Sequence, residues 1–326
     1  MHALVRRALD AFLLFWLVVT LTFILVRAAP GDTADLLVPP SASAGDVARA
    51  RAEFGLDAPL ATQYARWVGL VFSGDLGESF ALREPVSRIL GRTLPVSLWL
   101  GTCSLALTFL LGIGVAFWQV RHAGSRLDTA VTSATIAVYA APSYWVALTL
   151  VAVFTYGAAR LGFPHWARLP AFGMTDPARI GFSLSSVADL LRHSVLPVAV
   201  LTSVGAAGIA RYGRSRLLDL LHEDWVRTAR AKGLSTRQVH RIHLLWNALP
   251  TLVVLLGLAL PGVVAGSVFV ETVFAWPGMG RAMLSAIASR DYPVVMGVTI
   301  AYAFVVIVAN LIADLLLPAL DPRRRG

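Results

Sequence analysis

The residues of this chain that could do chemistry are few, and each falls short of a complete site. His222 to Val226 reads HEDWV and opens like HExxH, the pattern that sets two zinc-binding histidines on one helix face. The fifth position is Val226, so the second ligand is missing. His240 and His243 are three residues apart, with no evident carboxylate to complete a ligand set. Cys103 is the only cysteine, which rules out an intrachain disulfide and a thiolate cage. No GxSxG nucleophile elbow occurs. A nucleotide-hydrolysing loop needs GxxxxGK[ST], and the only lysine, Lys232, follows Ala231. The expectation is a chain without catalytic residues, metal or cofactor. Any ATP used by its process must be hydrolysed on another polypeptide.

What the composition favours instead is burial in lipid. Of 326 residues, 57% are hydrophobic and 14% charged, with mean hydropathy +0.69. Soluble domains carry roughly 25% charged residues. A helix crossing ~30 Å of hydrocarbon needs about 20 apolar residues. Six stretches qualify: Ala8–Ala29, Leu94–Val120, Thr129–Ala158, His193–Tyr212, Thr251–Phe274 and Val294–Leu317. The fourth is interrupted by Pro197 and by Gly205-Ala206-Ala207-Gly208, small residues that let helices approach closely in lipid. Gly262 and Gly266 form a GxxxG pair in the fifth. The first stretch also has features of a cleaved signal segment, but its apolar run Ala11–Val26 exceeds the usual ~7–15 residues.

The formal charge of +9 is then orientation information, not a sign of nucleic-acid binding. With both termini cytoplasmic, the inner segments hold fifteen bases and six acids, and the outer segments thirteen bases and twelve acids. The expected division is a first transmembrane helix over 1–29, an extracytoplasmic segment over 30–93, a five-helix transmembrane domain over 94–320 and a short cytoplasmic tail over 321–326. Within the outer segment the sequence predicts a short helix near Asp46–Glu53. It also predicts an amphipathic helix, with Leu60, Tyr64, Trp67 and Val68 on one face, lying against the membrane or another loop. The second outer segment, Arg160–Arg192, shows no periodicity.

One inner segment is crowded with bases between two apolar runs: DWVRTARAKGLSTRQVHRIHLLWNALP, Asp224 to Pro250. Val226, Ala229 and Gly233 share a small, nearly flat helix face. Gly233 stands where a helix C′ residue belongs, since glycine accepts positive φ without strain. Ser235 with Gln238 has the spacing of a capping box that starts a second helix. There, Val239, Ile242, Trp246 and Leu249 recur on one face, with Arg237 and Arg241 toward the headgroups. These residues by themselves fit either a basic loop that holds its side inside or a surface for a partner's groove.

This segment resembles the EAA loop of ABC-importer permeases, in the variant of the dipeptide, oligopeptide and nickel permeases. Ala229 precedes Gly233 by four residues, as in the motif, and Arg227 replaces its glutamate. The stretches FGLDAPLATQYARWVGLVFSGDLGESF, ETVFAWPGMGRAMLSAIASRDYPVVMG and NLIADLLLPALDPR are similar to the same subgroup, in order along the chain. The resemblance implies an all-α polytopic membrane protein of type I permease architecture with six transmembrane helices. It implies four kinds of partner: a second permease subunit forming a heterodimer with this chain, two ATP-binding subunits, an extracytoplasmic substrate-binding protein, and membrane lipid. It also implies that loop 219–250 carries a coupling surface formed by Asp224, Val226, Arg227, Ala229, Arg230, Ala231, Gly233 and Leu234. A peptide-like solute is the leading substrate, with nickel or another small solute as the alternative; His165 and His193 do not form a nickel site by themselves. A channel would be expected to show charge rings or filter motifs, and none is visible.

Ionisable residues inside spans are functional candidates. Here they are Glu271, near the outer end of the fifth, and Asp314, in the sixth. Glu271 with Trp276, Pro277 and Gly278 marks either a re-entrant turn at an outer gate or an aromatic-belt anchor followed by a turn.

Overall fold

The computed structural model describes residues 2–28, 43–53, 56–178, 181, 183–235, 238–239, 244–265 and 268–320. Arg237, His240, Arg241, Ile242, His243, Gly266 and the side chain of Asp314 lie outside that set. The described residues are helical, without a strand; an isolated bridge joins Glu78 to Pro85. They fall into two compact units, Met1–Val96 with Gly278–Ile307, and Ser97–Pro277 with Val308–Gly326.

In the first unit, α1 (His2–Ala28) is the long apolar helix expected at the start. The short helix predicted near Asp46 is α2 (Ala44–Glu53), and the amphipathic helix is α3 (Leu60–Ser73). The apolar face of α3 packs on α1, rather than on a loop or directly on lipid. Tyr64 meets Trp16 and Phe23, Trp67 meets Phe23, and Phe72 meets Phe12, Phe15 and Trp16, with ring centroids 5.4–6.5 Å apart. Offset and edge-on aromatic pairs add ~0.5–1.5 kcal/mol each beyond their buried area. A hydrogen bond of 2.6 Å between the Thr20 and Tyr64 hydroxyls fixes the register.

The chain then turns through Gly74 and Gly77, both at positive φ, and enters α4 (Val86–Arg121). The loop between is clasped by a buried carboxylate. Asp291 accepts hydrogen bonds from the Ser79 hydroxyl (2.5 Å) and from the Phe80 and Ala81 amides (3.2 and 3.1 Å). Asp291 precedes α13 (Tyr292–Leu320), which follows α12 (Met279–Ala288).

In the second unit α7 (Leu184–Leu221) is the central element. At 38 residues it runs roughly 57 Å, well beyond a ~30 Å hydrocarbon core, and its buried positions extend from Ser194 to Leu220. The small residues anticipated in it do bring α4 close. A Cβ on Gly205 would lie 2.8 Å from Thr108 Oγ1, one on Gly112 2.7 Å from Ile209 Cβ, and one on Gly213 3.1 Å from Ala116.

Four helices are long and apolar enough to cross a membrane: Arg6–Ala28, Val86–Arg121, Leu184–Leu221 and Tyr292–Ala313. The third expected span is two helices, α5 (Arg126–Ala140) and α6 (Ser143–Val151, continued by a π turn to Tyr156), bent by 101°. Ala141, between them, is extended (φ −72°, ψ 132°), because a residue before proline is disfavoured in the helical region. The fifth span is also divided, into α9 (Leu245–Ala259), α10 (Gly262–Ala265) and α11 (Val268–Val273). Pro261 lacks the N–H to continue the first of these. The described helices therefore give four continuous spans and one bent pair, against the six expected. Of the GxxxG pair, Gly266 lies outside the described residues, and a Cβ on Gly262 would meet nothing within 4 Å. The close approach is made from the other side by Gly101, where a Cβ would overlap the Val263 carbonyl.

That carbonyl is main chain and cannot swing aside. Gly101→Ala is therefore expected to destabilise the second unit by ~1–3 kcal/mol, the usual cost of overpacking. Gly114→Ala, on the same helix but facing open space, should be neutral. Thermal unfolding of the two purified variants distinguishes them.

Candidate coupling segment and gate

The basic segment folds locally as its sequence dictates. α8 spans Asp224–Ala231. It ends in a Schellman turn: the Leu234 amide donates to the Ala229 carbonyl (3.2 Å) and the Gly233 amide to the Arg230 carbonyl (2.9 Å). Gly233 has φ +85°, as its C′ position predicts. The capping box also forms, with the Ser235 amide donating to Gln238 Oε1 (2.9 Å) and the Gln238 amide to Ser235 Oγ (3.4 Å).

The direction of the small face is different from expectation. Val226 is 0% exposed and Ala229 8%, and both pack on Val239 with Leu234 and Trp225 against them. These two side chains hold α8 to its own chain and are not offered to a partner. The Schellman turn causes this, because it folds Leu234 back over Ala229 and brings Val239 onto the same face. The exposed surface of α8 and the turn after it includes Asp224, Arg227, Thr228, Arg230, Ala231, Lys232 and Gly233. Arg227 and Asp224 pair at 3.5 Å in full solvent, an arrangement worth little on its own.

The following helix also turns differently. Trp246, assigned to the apolar face, is 69% exposed, while Leu244, Ala248 and Leu252 are buried. They form a core with Ala116 and Val120 of α4 and Leu217 and Leu220 of α7, and Trp225 of α8 packs against it. α8 is thus joined by one indole to three transmembrane helices.

Sequence reasoning missed the polar clasp above this core. Asp128, 3% exposed, receives Arg214 bidentately, Nε to Oδ1 at 3.0 Å and Nη2 to Oδ2 at 2.7 Å. The Gly124 amide donates to Oδ2 as well (3.1 Å). Gln119 donates to Thr132 Oγ1 at 2.9 Å and lies 3.4 Å from Asp128 Oδ1. The sequence by itself presents both charged residues only as loop charges. The available signal was Ser125, three residues before Asp128; its hydroxyl caps α5 by accepting the Asp128 amide (3.2 Å).

At the other candidate site, Glu271 is 0% exposed and its Oε1 accepts a 2.7 Å hydrogen bond from Ser97. The Trp276 amide donates to the Glu271 carbonyl (2.7 Å), closing a turn in which Ala275 takes φ +49°. Trp276 is itself 0% exposed, which removes the aromatic-belt alternative, since a belt residue faces the lipid interface. The Phe274 carbonyl accepts the Gly173 amide (2.9 Å), tying the segment between α6 and α7 to this turn. Pro277 is exposed, and Gly278 is the N-cap residue of α12. His193 is turned to Asp189, whose carbonyl lies 2.9 Å from its Nδ1. Among the described residues no group of three or more possible metal ligands occurs.

Residues 108–326 match the family described as binding-protein-dependent transport system inner membrane component, and residues 1–101 match the N-terminal part described for the same systems. The chain belongs to this family. It is 34% identical to the oligopeptide transport system permease protein AppB of Bacillus subtilis, over 98% of each chain. It is 36% identical to the di/tripeptide transport system permease protein DppB of Pseudomonas aeruginosa, over 95% of each. In fold it is similar to a chain of the inward-facing MetNI methionine ABC transporter, with a TM-score of 0.54 and 19% identity over 72% of this chain and 97% of that one. This family member is accordingly a multi-pass inner-membrane permease subunit of an ABC importer.

The burial of Trp276 gives a direct expectation. Trp276→Ala should cost ~3–5 kcal/mol, as for a core tryptophan, whereas a lipid-facing anchor would lose far less. Pro277→Ala, at an exposed position, should stay within ~0.5 kcal/mol of wild type. Thermal midpoints of the purified variants test this.

Proposed function

We propose that this permease moves a peptide-like solute, delivered by an extracytoplasmic substrate-binding protein, together with a second, unlike permease subunit and two ATP-binding subunits. The solute class rests on the relatives, whose names specify oligopeptides and di/tripeptides. The observation that carries the coupling role is α8 itself. It presents Asp224, Arg227, Arg230, Ala231 and Gly233 outward, while Val226 and Ala229 pack on Val239 and Trp225 packs against the core shared by α4, α7 and the start of α9. A partner that grips the outward face pulls on α4, α7 and α9 through Trp225 and its neighbours. In this proposal both termini are cytoplasmic, α8 docks on an ATP-binding subunit, and the permease chain hydrolyses no ATP itself.

Transport then follows alternating access, with ATP-driven closure of the partner subunits displacing α8 and rocking the packed helices as bodies. The turn from Glu271 to Gly278 serves as an outer gate element. Its buried hydrogen bonds let it move as one piece.

Two experiments test the proposal. Gly233→Asp places a non-glycine residue at φ +85°, a strain of ~1–3 kcal/mol. It should lower co-purification with the ATP-binding subunits up to about tenfold. Ala231→Trp adds bulk to an exposed position without touching the core and should weaken the same association with the thermal midpoint of the permease unchanged. Normal assembly and substrate-stimulated ATP hydrolysis in both variants would reduce the segment to a basic loop. For orientation, cysteines placed in the segments Asp32–Arg92 and Ala167–Asp189 should react with impermeant reagents in intact cells, and one replacing Thr236 should not. Labelling at position 236 would reverse the topology.

A further inference from the structure

In the unit Met1–Val96 with Gly278–Ile307, a cavity of about 240 Å³ lies where α1 ends and α13 begins. Phe23, Trp67, Phe80 and Met296 make its apolar walls, and Arg27, Arg83 and Glu78 supply its charges. Both flanking helices have membrane-crossing hydropathy. Their adjacent ends, Arg27 on one and Tyr292 on the other, therefore mark the level at which the chain leaves hydrocarbon. An apolar hollow at that level, with guanidinium groups at its edge, has the polarity profile of the headgroup boundary itself.

Two features indicate that the arginines are placed. Arg83 adopts φ +53°, a left-handed conformation in which a non-glycine residue is uncommon. The loop that carries it is held there by Asp291, through the Ser79 hydroxyl and the Phe80 and Ala81 amides. Arg27 lies over the Phe23 ring, 5.7 Å from its centroid, so its guanidinium is held beside the apolar wall.

Volume decides the kind of occupant. Sites that enclose a whole small-molecule ligand run to ~300–1,000 Å³. This cavity is smaller, so it suits a molecule that leaves most of its bulk elsewhere. We infer that it seats an anionic phospholipid, with the phosphate on Arg27 and Arg83 and the first carbons of one acyl chain against Phe23, Trp67 and Phe80. Guanidinium recognises phosphate bidentately through charge-assisted hydrogen bonds. Glu78 opposes the two arginines and limits the preference.

The test uses the purified importer complex, titrated with mixed micelles of acyl-brominated phosphatidylglycerol or the matching phosphatidylcholine. Bromine quenches tryptophan by contact, and the difference between wild type and Trp67→Phe isolates the signal of Trp67. Phosphatidylglycerol should quench it at a concentration about fivefold lower per engaged guanidinium. Arg27→Gln combined with Arg83→Gln should bring the two lipids to the same midpoint. Arg66→Gln, which removes an exposed base of α3 outside the cavity, should leave the preference intact. Glu78→Gln should strengthen it, an effect that misfolding cannot produce. Equal midpoints in wild type, a preference that survives the double substitution, or the absence of quenching by either lipid would each overturn the site.

Discussion

A backbone amide or carbonyl left unpaired in hydrocarbon costs several kcal/mol, and every feature of this chain is arranged around that constraint. It explains why the described residues are helical, and why the helices overrun the apolar windows that announce them. It also dictates where helices can be interrupted. The breaks at Ala141-Pro142 and at Leu260-Pro261 remove main-chain hydrogen bonds, so neighbouring chain must shield them. Gly101 supplies part of that shield: without a side chain, it lets α4 lie directly on the Val263 carbonyl beside the second break. A substitution that elsewhere in α4 meets open space meets main chain here.

The same constraint sorts the charges. Three buried acids in or beside the described spans are each engaged. Asp128 is held by Arg214 and the Gly124 amide, Asp291 by one hydroxyl and two amides, and Glu271 accepts from Ser97. Each joins residues far apart in sequence, and each sits where a helix begins or ends. Removing one partner of a buried ion pair costs ~3–5 kcal/mol because the other charge is stranded. Arginine and aspartate at positions 214 and 128 therefore act as a unit. They pin the turn between α4 and α5 to α7 ten residues before α8 starts.

The proposed coupling role rests on packing of this kind. α8 has eight residues, too few to be stable as an isolated helix. It persists because a Schellman turn, a capping box and a small apolar cluster support it from three directions. A rigid element with one buried and one exposed side can pass a displacement onward, whereas a flexible loop would absorb it. The core reached by Trp225 includes parts of α4, α7 and the start of α9. In the proposed coupling, a movement of α8 is delivered to several helices at once.

The sequence alone was enough for composition, helix class, the family resemblance, the helices near Asp46 and Leu60, the positive φ at Gly233 and the Ser235–Gln238 capping box. All of these are local: hydropathy, turn chemistry and spacing act over a few residues. Tertiary structure decided what depends on residues distant in sequence. It turned Val226 and Ala229 inward onto Val239 and left Trp246 exposed in place of Ala248. It laid α3 on α1, bent the third span at Pro142 and divided the fifth after Leu260. It also paired Asp128 with Arg214 and brought Asp291 to Ser79. An apolar period states that a face will be buried, but not against what. A lone carboxylate in a greasy sequence states that a partner is required, but not which of the distant donors the fold will bring within 3 Å.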